Sequence, residues 1–463
     1  MPLQIAFSTL GCKLNQLETE AVADAFAREG ATVLPLTARR LEGMDLFVLN
    51  TCAVTSKAEQ KARRLLRAAL AANPGALALV TGCYAQVEAE ALAALDERVY
   101  VLEGGRKDSL LGLPAWLSAH VSAGSLADDL GEWLSSLGGP DAADIEPFAY
   151  SPQIFAFHSR PALKVQDGCD NDCAYCRVRI ARGRARSLAA TEVLARARAL
   201  EESGRAEIVL TGLNLSQYRD GDLDFPSLLR LLVEGTRRIH FRLSSYEPDR
   251  VDASFLEAFA LPRVRPHLHL AVQSASDRVL AAMGRRYRGR DILAAVQALR
   301  RVKGDPFLAA DFIAGFPGET EAEAASTLAL AGECDFAWIH AFRFSARPGT
   351  AAESMRGRVP ERVAGERTQA LLELGRGGRA AYVRRWRGSE LSAVLESGVG
   401  KKCPSAMEAT SENYLKLLVR DLPPEARPGQ PVQCRIDGDL VSENSEDIDA
   451  QASYIGPQPG FTY

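Results

Sequence analysis

Cys169, Cys173 and Cys176 crowd three thiols into one stretch at C-x₃-C-x₂-C spacing, within Val165-Gln166-Asp167-Gly168-Cys169-Asp170-Asn171-Asp172-Cys173-Ala174-Tyr175-Cys176. The stretch reads as a loop following the short apolar run Ala162 to Val165. Three thiolates this close can hold a metal centre. Iron–sulfur clusters normally take four cysteines, so a cubane bound by three would keep one iron open to another ligand. Three plainer readings stay open at this point: a zinc knuckle short of a ligand, a disulfide with a spare thiol, or buried structural cysteines.

The segment before this loop alternates short apolar runs with helical patterns. Ile5 to Leu10 is followed by Leu17 to Arg28, Leu46 to Leu49 by Ala58 to Ala72, and Ala76 to Val80 by Gln86 to Leu95. Ser56-Lys57-Ala58-Glu59 has the form of a capping box for the second helix. This rhythm predicts a doubly wound parallel α/β domain. Cys12, Cys52 and Cys83 each fall just past the end of a predicted strand. That is the edge of an open parallel sheet where ligands collect, so three cysteines remote in sequence can meet in space. A small buried residue at each strand end is the competing reading.

From Ala162 onward six βα units follow, with strands near Ala162 to Val165, Ala206 to Thr211, Ile239 to Leu243, His267 to Val272, Leu308 to Ile313 and Trp338 to Phe344. Six units are too few for a closed eightfold barrel and predict an open, partial (β/α)6 barrel. A basic helical stretch, Glu361 to Arg387, precedes a tail of short strands such as Leu415 to Val419 and Val432 to Ile436, which reads as a small all-β barrel. The predicted divisions are 1–110, a linker at 111–154 marked by Gly138-Gly139-Pro140 and scattered Asp128, Asp129, Asp141, Asp144 and Glu146, then 155–385 and 386–463.

The chain has 463 residues, 47% hydrophobic and 25% charged, with a net charge of −4, so a nucleic-acid partner would have to be met by local patches. The start shows no signal peptide, and no run approaches the roughly 18 apolar residues of a membrane span. A cytoplasmic protein without a membrane partner is expected. Its nine cysteines then read as ligands or free thiols rather than disulfides.

With Tyr175 just before its last cysteine, the triplet resembles the signature of the radical S-adenosylmethionine (SAM) enzymes. Three further motifs extend the resemblance over nearly the whole chain: Thr9-Leu10-Gly11-Cys12-Lys13-Leu14-Asn15-Gln16-Leu17-Glu18-Thr19-Glu20, Asn50-Thr51-Cys52-Ala53-Val54-Thr55 and Thr81-Gly82-Cys83-Tyr84-Ala85-Gln86. Together with Ala181-Arg182-Gly183-Arg184-Ala185-Arg186-Ser187 they are similar to the methylthiotransferases, and most like their MtaB branch.

The resemblance implies two 4Fe-4S clusters, one on Cys169, Cys173 and Cys176 that cleaves SAM to a 5′-deoxyadenosyl radical, the other on Cys12, Cys52 and Cys83 that presents sulfur. It also implies a radical-SAM partial barrel, a C-terminal TRAM barrel, and methylthiolation of N6-threonylcarbamoyladenosine beside the tRNA anticodon. Tyr175, Asn214, Ser244 and Gln273 are the SAM contacts it suggests, and an electron donor such as flavodoxin or ferredoxin is required. For RNA, the basic run Arg177, Arg179, Arg182, Arg184 and Arg186 and the helix residues Lys61, Arg63, Arg64 and Arg67 are candidates for phosphate contact in the anticodon loop.

One feature departs from that pattern: Ser389 to Tyr463 holds 6 Lys and Arg against 12 Asp and Glu. An acidic barrel suits a basic protein partner, as in the RimO branch, which modifies an aspartate of a ribosomal protein. MiaB-like action on isopentenyladenosine is a further alternative, and a non-catalytic iron–sulfur sensor another. For RNA speaks Thr410-Ser411-Glu412-Asn413-Tyr414, similar to a TRAM motif of the tRNA-modifying enzymes.

Overall fold

The computed structural model describes residues 2–36, 42–120, 125–138, 146–152, 155–399, 406–439 and 448–461. Gly139, Pro140, Asp141 and Asp144 of the expected linker, and Cys403, lie outside them. The chain forms two compact units, the first of 1–157 with 167–170 and 176–186, the second of 158–166, 171–175 and 187–463.

In the first unit the strands β1 (Gln4–Thr9), β2 (Thr32–Pro35), β3 (Leu46–Thr51), β4 (Leu77–Gly82) and β5 (Val99–Val101) make one parallel sheet in the order β2-β1-β3-β4-β5. Helices α1 (Lys13–Arg28), α2 (Ser56–Ala72), α3 (Cys83–Val87) and α4 (Ala89–Ala93) connect them. The doubly wound domain expected from the apolar rhythm is therefore present. Every residue of β3 and β4 is buried, which is why both read as plain apolar runs. The edge strands β2 and β5 carry only four and three residues and are half-exposed, so neither leaves such a run to read.

Two details differ from the sequence reading. Thr55, not Ser56, caps α2, its side chain accepting from the Ala58 N–H at 3.2 Å. The helix expected over Gln86 to Leu95 is broken at Glu88 into α3 and α4. The expected linker also carries structure: α5 (Leu113–Ala119) and α6 (Leu126–Ser136) bury Leu113, Leu130 and Trp133 in one core with Ile5, Phe7, Val48 and Leu79. Those apolar side chains recur at helical spacing, and burying them outweighs the loop-like Gly and Asp around them.

The second unit holds the six predicted strands, now Ala162–Lys164, Glu207–Thr211, His240–Leu243, His267–Gln273, Phe307–Ala314 and Trp338–Arg343. The third strand breaks at Ser244. Its first part pairs with Glu207–Thr211, and its continuation, Ser245–Tyr246, pairs with His267–Gln273, so the parallel arc runs on through the break. Among the described residues no pairing closes the arc from its last strand to its first. The partial barrel is open, as six units require.

The tail forms a closed five-stranded barrel of Glu390–Val399, Met407–Ser411, Lys416–Arg420, Ala450–Pro457 and Pro431–Asp439, in that order around the ring. This small barrel is TRAM-like. Tyr382 of the long helix Glu361–Arg385 and Phe307 of the partial barrel share its core with Leu391, Leu417 and Val419. Glu207 has a fully buried side chain that accepts from Arg242 at 2.6 Å, Arg265 at 2.9 Å and Arg160 at 3.3 Å. The same arginines reach the small barrel: Arg160 pairs with Glu396 at 2.7 Å, Arg265 with Glu412 at 3.3 Å, and Arg242 donates to the Ser411 carbonyl at 2.9 Å.

Among the described residues no helix is long and apolar enough to cross a membrane.

Burial alone would push the Glu207 carboxyl up; Arg242, Arg265 and Arg160 overcome it and hold it well below the usual carboxylate range. Its contribution to stability is thus complete above its ordinary value near 4.5 and lost as the pH falls. Glu207→Ala leaves three guanidiniums without their shared counter-ion and should cost about 3–5 kcal/mol, read as an earlier urea unfolding midpoint near neutral pH.

Candidate active site

Sheet order places the first site. β1 and β3 are neighbours, yet the chain leaves β1 to form β2 on one side before returning to build β3 on the other. At such a switch point, ligands of open parallel sheets bind in the crevice outside the carboxyl ends of the strands. Cys12 follows β1 as the N-cap of α1, Cys52 follows β3, and Cys83 opens α3 directly after β4.

Glycine lets these loops touch. Gly11 and Gly82 have φ of +107° and +101°. A Cβ on Gly11 would lie 2.9 Å from the Cys52 sulfur, and one on Gly82 would lie 2.3 Å from the Thr51 carbonyl oxygen. Only a residue without a side chain permits both the backbone angle and the approach. Cys52 is buried, and its sulfur accepts from the Val54 N–H at 3.5 Å. Burial pushes this thiol up to about 12, the Val54 N–H opposes that, and the neighbouring Cys83 and Cys12 thiols add to it. The three cysteines therefore share one neighbourhood. None of the described cysteines is in a disulfide.

Charged groups form the floor of this crevice. Glu18 of α1, 1% exposed, pairs with Lys107 and takes both guanidinium nitrogens of Arg182, at 2.6 and 3.1 Å. Arg182 further donates to the Asn15 carboxamide oxygen at 2.6 Å, to Asp167 at 3.3 Å and to the Cys83 sulfur at 3.3 Å. Lys107 also donates to Asn50 at 3.1 Å. Burial works against the Arg182 charge, but Glu18, Cys83 and Asp167 outweigh it and hold the guanidinium protonated. Arg182 is the last residue of the short helix α7 (Val178–Arg182).

This corrects the sequence reading of Arg182 as a phosphate contact: its side chain is only 8% exposed and its donors are occupied. Arg177 is buried too, against Glu88 and Glu59. Arg179, Arg184 and Arg186 are exposed, with Arg184 reaching Asp170 at 3.1 Å.

In the triplet loop, Gly168 has a φ of +69°, and a Cβ there would lie 1.8 Å from the Arg184 carbonyl oxygen. Cys169 donates its N–H to the Gly183 carbonyl at 3.2 Å, and the Cys176 sulfur accepts from the Val178 N–H at 3.4 Å. Residues 171–175 belong to the second unit. There Glu247, 9% exposed, gathers Arg285 at 2.8 Å, Asn171 at 3.1 Å and Asn214 at 3.3 Å. Arg285 also donates to the Tyr175 hydroxyl at 2.6 Å. A cavity of about 210 Å³ opens beside this hub, lined in part by Asn171, Asn214, Glu247 and Arg285.

The carboxyl ends of the barrel strands carry the other expected SAM contacts. The hydroxyls of Thr211 and Ser244 are buried without a hydrogen-bond partner. Gln273, at the end of its strand and beside a bulge, is held at φ 66°. A side-chain-bearing residue in that region is strained, and such strain gathers at ligand sites.

Residues 163–331 match the Radical SAM superfamily, and residues 4–104 match the Uncharacterized protein family UPF0004. The chain is 45% identical over 462 residues to the threonylcarbamoyladenosine tRNA methylthiotransferase MtaB of Treponema pallidum, covering 90% of this chain and 94% of that protein. The chain belongs to the MtaB branch of the radical-SAM methylthiotransferases. It is 31% identical to MtaB of Bacillus subtilis, with 90% of each chain covered. To the tRNA-2-methylthio-N(6)-dimethylallyladenosine synthase of Cereibacter sphaeroides it is 32% identical, with 94% of this chain and 95% of that one covered. In fold it resembles the radical SAM methyltransferase TsrM of Kitasatospora setae, with a TM-score of 0.52 and 16% identity over 76% of this chain and 77% of that one.

Radical-SAM enzymes work with SAM and an iron–sulfur centre, and the residues present fit both. The converging donors Cys12, Cys52 and Cys83 are thiols alone, and a cationic centre would offset the burial that pushes Cys52 up. The orphaned Thr211 and Ser244 hydroxyls face the same question for SAM: each needs a polar partner. Among the described residues no three Cys, His, Asp or Glu are arranged to hold a metal ion.

Reading the sequence missed Glu18, Lys107, Glu247 and Arg285. Glu18 could have been suspected, because α1 buries Asn15, Glu18, Thr19 and Glu20 within the quoted motif. Gly82→Ala in this methylthiotransferase should destabilise the protein by more than about 1 kcal/mol, the cost of a side chain at a left-handed position plus the clash with Thr51. Chemical unfolding of the cofactor-free protein measures it.

Proposed function

We propose that this chain inserts a methylthio group at carbon 2 of N6-threonylcarbamoyladenosine at position 37, beside the anticodon of tRNA. The observation that carries this is the 45% identity to the Treponema pallidum MtaB over 94% of its length, against 32% to the dimethylallyladenosine synthase of Cereibacter sphaeroides. Carbon 2 of adenine has no acidic proton for a side-chain base, so the reaction needs the radical chemistry of a cofactor.

On this reading Cys169, Cys173 and Cys176 would hold one 4Fe-4S cluster and Cys12, Cys52 and Cys83 a second. Both trios leave one iron without a protein ligand. A single bound ion would need sulfurs about 3.8 Å apart, given metal–sulfur bonds near 2.3 Å; a four-iron cubane spreads its thiolates wider. Such centres, when bound, would supply SAM cleavage to a 5′-deoxyadenosyl radical and a site for the sulfur to be transferred.

The protein's own groups position the reactants. Glu247 and Arg285 fix Asn171 and Tyr175 of the triplet loop against Asn214. Tyr175, Asn214, Ser244 and Gln273 are the expected SAM contacts, and the orphaned Ser244 hydroxyl and the strained Gln273 support the last two. Arg179, Arg184 and Arg186, with exposed Lys57, Lys61, Arg64 and Arg67 on α2, are the groups for RNA phosphates. A low-potential donor such as flavodoxin or ferredoxin completes the system, and a tRNA substrate places the reaction in the cytoplasm.

The ribosomal-protein reading rested on the acidity of the small barrel. Three of those acids are engaged within the second unit: Glu396 by Arg160, Glu412 by Arg265 and Asp449 by Arg379. That removes much of the charge a basic partner protein would meet.

Reconstituted protein given SAM, sulfide and reductant should add the methylthio mass to tRNA carrying threonylcarbamoyladenosine. Mass gained instead by tRNA carrying isopentenyladenosine, or by a small-subunit ribosomal protein, would replace the reading. The loaded protein should contain about eight irons, and about four would remove one centre. Arg184→Glu combined with Arg186→Glu should weaken tRNA binding and flatten its salt dependence by about two phosphate contacts, measured by filter binding across a salt series.

A further inference from the structure

Arg182 has every mark of a group built to act on a cysteine. Its Nε–H points at the Cys83 sulfur at 3.3 Å, and its remaining donors are held by Glu18, Asn15 and Asp167. The side chain is 8% exposed and the carboxylate that clamps it 1%. A buried guanidinium on a sulfur is a fixed positive charge in a medium that screens it poorly. Lys107, on the same Glu18, supplies a second cation, so Glu18 and Asp167 face two positive groups beneath the crevice.

We propose that Arg182 is a positioning residue for the centre held by Cys12, Cys52 and Cys83, setting its reduction potential through the Cys83 sulfur. The inference rests on the reading that those three cysteines hold an iron–sulfur centre. Hydrogen bonds to the ligand sulfurs and net local charge are the levers by which a protein tunes such a centre. A donated N–H and a positive charge both favour the reduced form, which carries one more electron. Glu18 works the other way on charge while holding the guanidinium in place. The two side chains therefore make opposite contributions to one quantity. Arg182 lies six residues past Cys176, so the segment that carries the triplet also carries this contact to Cys83.

The test uses the full-length chain with Cys169, Cys173 and Cys176 all changed to Ala, reconstituted anaerobically so that a single centre loads. Its midpoint potential is read by electron paramagnetic resonance during a reductive titration. Arg182→Met should shift the potential negative, Arg182→Lys should stay near the parent, and Glu18→Gln should shift it positive. A guanidinium that only braces the fold would give no shift, or shifts of the same sign in Arg182→Met and Glu18→Gln, and either result overturns the proposal. Should Arg182→Met fail to load iron, Arg182→Gln takes its place: a negative shift supports the proposal, and no shift or a positive one overturns it. A parent triple variant that binds no iron would instead overturn the assignment of Cys12, Cys52 and Cys83.

Discussion

The first unit depends on one buried carboxylate. Glu18 sits inside the fold with two cations on it, Lys107 from the 3-10 helix Gly104–Leu111 after β5 and Arg182 from the segment that follows the triplet loop. Moving such charges out of water is costly, and only close mutual pairing with further hydrogen bonds repays it. Asn15, Asn50 and Asp167 supply those bonds, so α1, β3 and the triplet segment are held in one register by a network rather than by apolar packing alone. A network of this kind specifies geometry more than it adds stability. It gives the Cys12 and Cys83 loops a fixed relation to each other.

The second unit uses the same device for another purpose. Glu207, Arg160, Arg242 and Arg265 join the partial barrel to the small β-barrel through Glu396, Glu412 and the Ser411 carbonyl. The excess of acidic residues in the tail, which by composition alone suggested a basic protein partner, is in part the chain's own docking charge. Composition counts charges without saying which are already paired.

Much of the fold could be read from the chain directly. Six strands of the partial barrel and the three central strands of the first sheet were each marked by an apolar run, because strands packed within layers bury mostly apolar side chains. The edge strands Thr32–Pro35 and Val99–Val101 had no such mark, being short and half-exposed. The helices at Leu113–Ala119 and Leu126–Ser136 were hidden by Gly and Asp near them. Of the candidate site, Cys169, Cys173 and Cys176 stood out by their spacing and Cys12, Cys52 and Cys83 by their place just past strand ends. The polar groups that support them did not, since a Glu or Arg gives no sign in sequence of whether water or a counter-ion will meet it.

Arg182 marks the boundary most clearly. By sequence it was one arginine among five in a basic run, and any of them could have faced a phosphate. The sequence by itself determined the order of the central strands and helices and the family, which are carried by local pattern and residue type. Only the tertiary structure decided that Arg182 turns inward to Cys83 and Glu18 while Arg184 and Arg186 remain outside. Burial is a property of the assembled fold: whether a charge is solvated or paired depends on residues 18, 83 and 167, which no local window around position 182 contains in full.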